Sequence, residues 1–125
     1  MILVMMTAMR WAAIALLAGP LVLAEPAKVA GKWNASLQLE TINSRPVLNF
    51  KQDGEKLTGT YEGYYGVSPL EGQIKENQIG FVVTMTIEGS KIEGVFNGTV
   101  DGDSMSGSVE FEGAGSGKWT AVRAK

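Results

Sequence analysis

The chain has 125 residues, 45% hydrophobic and 19% charged, with 11 basic and 13 acidic side chains and a formal net charge of −2. That balance fits one globular domain and excludes a disordered chain, and the scattered lysines form no basic patch for a phosphate backbone, so no nucleic-acid partner is expected. The absence of Cys and His excludes disulfides, thiol nucleophiles, imidazole bases and nearly every zinc or copper site.

In chain order, the first element is an apolar leader. One charge, Arg10, precedes an apolar run from Trp11 to Leu23 interrupted only by Gly19-Pro20. The run is shorter than the roughly 20 residues that span a bilayer, and Val22-Leu23-Ala24 has short residues where a signal peptidase reads. Residues 1–24 are therefore read as a signal peptide, with a mature chain starting at Glu25, a periplasmic or secreted location and no stable membrane insertion after cleavage. Loss of Arg10 leaves 10 basic and 13 acidic residues, a net charge of −3. Residues 25–30 read as a short tail and 31–125 as the folded domain.

From Gly31 onward apolar residues recur at every second position, the period of a half-buried strand and not of a helix. Strands are expected over 31–41, 46–52, 56–65, 69–76, 78–88, 91–100, 104–112 and 117–124. Asp53-Gly54, Glu76-Asn77, Gly89-Ser90 and Asp101-Gly102 lie where consecutive runs meet, and such pairs supply the positive φ of tight hairpins. The phrase "KQDGEKLTGTYEG" from Lys51 returns as "TVDGDSMSGSVEFEG" from Thr99, and "KENQIGFVV" is a weaker third copy. Each copy is a turn followed by an outgoing strand, so the chain solves one hairpin problem repeatedly. The class is all-β, and an eight-stranded antiparallel up-and-down barrel is expected because closure buries one face and removes unpaired edges. Alternation alone leaves a two-sheet sandwich open as the alternative.

The inward face contains Trp33, Leu37, Leu39, Leu48, Phe50, Leu57, Tyr61, Leu70, Ile74 and Ile79, then Phe81, Val83, Met85, Ile87, Ile92, Phe96, Val100, Met105, Val109, Phe111 and Trp119. Glutamates and threonines occupy the other face. Gly59, Gly63, Gly72, Gly94, Gly98 and Gly107 fall in phase with the apolar set. Two accounts compete for them: sharp strand coiling in a narrow barrel, which is preferred, and a lumen left open for a ligand. Asp101, Asp103 and Ser104 lack the ligand spacing and helices of a calcium loop, so no metal is expected. Strand glutamates lie almost entirely on the outward face, where nothing excludes water, and no nucleophile–base pair or cofactor fingerprint is present. Neither enzyme activity nor a cofactor is expected.

Gly31-Lys32-Trp33 at the start of the first strand, with Trp119 and Arg123 in the last, resembles the short signature of the calycin group, the lipocalins and their relatives. "LTGTY" at 57–61, "SPLEG" at 68–72 and "GKWTAVR" at 117–123 are similar to the corresponding parts of avidins. The resemblance implies Arg123 packed over Trp33 and a small-molecule site at the open end of the barrel. Tyr61 matches the tyrosine that contacts the biotin head, but Ala35 and Leu39 stand where that family has asparagine and serine, and only Trp33 and Trp119 remain as indoles in the mature chain. Biotin is not the expected ligand. The chain is also similar to small exported bacterial domains with no established ligand.

The expected function is an exported binding module for a small apolar or aromatic ligand, held among Tyr61, Phe81, Met85, Phe96, Phe111 and Trp119. The alternative is a filled barrel acting through its surface on a protein partner, or as a stability module. Tyr64 and Tyr65, expected on opposite faces of one strand, would put one aromatic ring at the rim.

Overall fold

A computed structural model describes residues 25–125; the expected leader, 1–24, lies outside the described residues. The strands are β1 (Gly31–Leu39), β2 (Asn43–Ser44), β3 (Val47–Asp53), β4 (Lys56–Gly63), β5 (Gly66–Lys75), β6 (Gln78–Ile87), β7 (Ser90–Asp101), β8 (Ser104–Phe111) and β9 (Gly115–Arg123). Neighbours pair antiparallel in chain order from β3 to β9, β1 pairs with β3, and β1 also pairs with β9 from Trp33↔Arg123 to Leu39↔Gly117. That last ladder closes an eight-stranded barrel and eliminates the sandwich. The two-residue β2 extends the β1 ladder at Leu37↔Ser44 and Gln38↔Asn43.

The repeated phrase forms hairpins, displaced by one residue from the expected turn pairs. The turns are Gly54-Glu55 and Gly102-Asp103, with Gly54 at φ 63° and Gly102 at φ 64°. Asp53 pairs with Lys56 and Asp101 with Ser104, so each aspartate ends its strand and the glycine takes the first, positive-φ position of the turn. In the third copy Glu76 adopts φ 56° itself. The β6–β7 turn is Glu88-Gly89, one residue earlier than expected, with positive φ at both positions. Tyr64 and Tyr65 are themselves a turn, so their opposite-face placement within a strand does not hold. β5 accordingly starts at Gly66, not 69, and it accommodates Pro69 because the β5–β6 ladder begins only at Leu70↔Val83.

The hairpin turns divide the barrel into two ends. Residues 54–55, 76–77 and 102–103 lie at one end, with 64–65, 88–89 and 112–114 at the other. The first end is closed by residues 25–30, the short tail, which form a strap across it. Ala27 N–H donates to Glu76 O at 2.7 Å, Gln52 Nε2 donates to Ala27 O at 2.9 Å, and Val29 N–H donates to Gln52 Oε1 at 2.8 Å. Val29 is fully buried, and the buried Trp33 donates its indole N–H to Val29 O at 2.9 Å. Arg123 lies 4.5 Å above the Trp33 ring and donates to Lys28 O at 2.8 Å and Ala30 O at 3.3 Å, tying strap to barrel. Asp103, one of the residues considered for calcium, accepts from Arg123 Nε at 2.8 Å.

The barrel's waist is filled by aromatic rings. Phe81 and Phe96 stack at 4.6 Å, Trp119 meets both edge-on at 5.6 and 5.5 Å, and Phe50 meets Phe81 edge-on at 5.3 Å. Gly98 and Gly107 face one another across β7 and β8, and this bare spot admits the Trp119 indole, whose N–H donates to Asn97 O at 3.1 Å. A Cβ at Gly98 would lie 3.0 Å from the indole, and one at Gly107 would overlap the Asn97 carbonyl. At Gly94 the volume of a Cβ is occupied by the Phe111 ring. The inward glycines thus make room for neighbouring backbone and large rings, the account preferred from the sequence, and do not empty the lumen.

Candidate ligand-binding site at the open end

Above the aromatic waist the barrel retains space. A cavity of about 230 Å³ opens at the end opposite the strap. Its walls are apolar: Leu37 and Leu39 from β1, Met85 and Ile87 from β6, Ile92 from β7 and Phe111 from β8. Period-two alternation points these side chains inward, and each lies near the open end of its strand, so barrel closure brings β1 to the same cavity as the consecutive strands β6, β7 and β8. Ile42, Tyr64 and Tyr65 stand at the lip. Tyr64 is 90% exposed and Tyr65 58%, with their rings edge-to-face at 5.1 Å.

One polar group reaches into this apolar space from β4. Tyr61 is 3% exposed and packs against Phe96 and Phe111, each at 6.3 Å. Burial pushes its phenol above the ordinary tyrosine value, and a side-chain hydrogen bond with Ser44 opposes the shift. Its hydroxyl and that of Ser44 are the neutral polar side-chain groups in the otherwise apolar wall. Ser44 is on β2, so the short pairing of β2 with β1 brings the serine to the cavity wall. Ser44 is not among the residues expected from the sequence to hold a ligand, because a polar residue just before Arg45-Pro46, between the expected strands 31–41 and 46–52, carries no periodic signal.

The six residues expected to hold a ligand separate into two groups. Tyr61, Met85 and Phe111 line the cavity. Phe81, Phe96 and Trp119 lie deeper, where their mutual contacts form the waist beneath it. Leu37, Leu39, Ile87 and Ile92 join the first group; alternation had placed them inward but could not assign them to one end. Depressions on the outer wall, about 420 Å³ across β5–β7 and about 520 Å³ beside Asn34, Pro46 and Thr120, are more open than the mouth cavity and lie outside the barrel.

The chain matches no protein-family model, no curated protein and no solved structure. The closed antiparallel barrel and the Arg123–Trp33 contact are consistent with a calycin-like fold.

Proposed function

We propose that the protein is a small exported binding module that takes one small, mainly apolar molecule in the mouth of its barrel. The observation that carries this reading is an apolar cavity of about 230 Å³ with a buried, protonated phenol in its wall. Cavities for drug-sized ligands span roughly 300–1,000 Å³, so this one suits a single ring or a short branched chain. Tyr61 and Ser44 would orient such a ligand through one hydroxyl or carbonyl oxygen. The role is binding without chemistry. Export agrees with the closed end, because cleavage after Ala24 would spare the strap that seals it.

A surface-interaction or stability module remains the second reading, and the ring-filled waist favours it over a deep lipocalin-type pocket. Titrating 3-tert-butylphenol into isotopically labelled protein separates the two. The binding reading expects shifts concentrated at Met85, Ile87, Ile92 and Tyr61, weakened in Tyr61→Phe and abolished in Ile92→Trp, which puts an indole into the cavity. Absence of shifts at these positions at millimolar probe would reject it in favour of the surface module.

A further inference from the structure

We infer that the mouth cavity is built for a hydrophobic cation, a quaternary or protonated amine carried on one ring or a short branched chain. This rests on the mouth being a ligand site and adds the charge of the ligand. The lining carries four aromatic rings, Tyr61, Tyr64, Tyr65 and Phe111. A positive charge is attracted to the negative faces of such rings, more strongly where the site is partly desolvated. A neutral ligand lacks this charge–quadrupole attraction.

Glu112 is the only charged residue in the lining. One of its oxygens, Oε1, accepts the Glu93 N–H at 2.8 Å, and its own N–H donates to Glu93 O at 3.2 Å. The carboxylate is thereby held on the rim, with Oε2 free of any hydrogen bond among the described residues. Glu40 is held on the same rim by the Ser116 N–H at 3.2 Å, and Glu88 occupies the adjacent β6–β7 turn. Lys91 opens β7 at this end, Lys118 lies on the outer wall of β9 with Ser108 and Glu110, and Arg45 lies on the outer wall with Asn34, Pro46 and Thr120. Among the described residues the one ion pair, Arg123–Asp103, belongs to the opposite end, so the rim carboxylates keep their field. A ligand carboxylate would meet that field and would find no cationic partner inside an apolar wall, which makes its desolvation costly.

Three probes of nearly one shape test the charge separately from the site: 3-tert-butylphenol, neutral; 3-hydroxyphenyltrimethylammonium, cationic; and 3-hydroxybenzenesulfonate, anionic. Affinities are measured by NMR titration at pH 6.5. The cation should bind about tenfold more tightly than the neutral probe, the gain of one good cation–π site, and the anion should not bind. Raising salt to 0.5 M should weaken the cation and leave the neutral probe's affinity in place. Glu112→Gln retains an acceptor for the Glu93 N–H, so the β8–β9 loop should hold while the cation-to-neutral ratio falls several-fold. Neutral binding equal to or tighter than that of the cation would overturn the inference and leave the binding-module reading standing, as would tightest binding by the anion. No binding by any of the three would remove both.

Discussion

Arg123→Ala removes the guanidinium 4.5 Å above Trp33, its bonds to Lys28 O at 2.8 Å and Ala30 O at 3.3 Å, and its pairing with Asp103 at 2.8 Å. The Asp103 pair contributes little: Asp103 is 84% exposed, and pairs in such surroundings are worth about 0–1 kcal/mol. The cation–π contact contributes about 0.5–1 kcal/mol at a partly exposed site. Hydrogen bonds from a charged donor contribute about 1.5 kcal/mol each at the lower end, and the 3.3 Å bond falls below that. With Arg123 one-third exposed, water recovers part of the total, and the expected loss is about 2–3 kcal/mol. For a domain of this size that lowers Tm by roughly 10–20 °C. Urea denaturation of parent, Arg123→Ala, Arg123→Lys and Lys125→Ala is the assay. The lysine variant keeps the charge but lacks the planar fork that spans two carbonyls and stacks on an indole, so it should recover less than half of the loss. Lys125→Ala should remain within about 0.5 kcal/mol of the parent. Equal midpoints for Arg123→Ala and Lys125→Ala would show that Val29 and Gln52 hold the strap unaided, and the reasoning would fail.

Gly94→Leu should cost about 1–3 kcal/mol, because the new side chain enters volume held by the Phe111 ring. Combined with Phe111→Ala it should be less destabilised than the two single losses added together, since the leucine then fills the space the ring vacates; strict additivity, read from urea midpoints, would contradict that packing. Tyr61 supplies a pH-dependent test. Its folded-state pKa is raised, so its stabilising contribution is complete below the unfolded value of about 10 and is lost as pH rises through the folded value. Parent stability should therefore fall more steeply than that of Tyr61→Phe above about pH 10, and parallel curves would refute the burial of the phenol.

Much of the barrel was legible along the chain because side chains on a strand have a period of two. Phe81, Val83 and Met85, or Leu48 and Phe50, show their inward face without any knowledge of their partners. The Asp-Gly phrases were readable because a two-residue hairpin demands a positive φ that glycine supplies locally. Tyr64 and Tyr65 misled for the same local reason: two aromatic residues resemble a continuing strand, and the turn between Gly63 and Gly66 is settled by pairing Glu62 with Val67. The short motifs around Trp33 and Arg123 pointed to their contact, but closure itself is the β1–β9 ladder, a pairing across nearly the whole domain that alternation cannot express. Val29 was invisible because it lies outside any strand, and only the finished closed end provides a pocket for its side chain. The same holds for the site. Which inward residues pack solid and which border space depends on Gly98 meeting Gly107 across two strands so that Trp119 can lie over them beside Phe81 and Phe96. That packing fills the waist and confines the remaining space to the mouth, a consequence of ring shapes meeting in three dimensions.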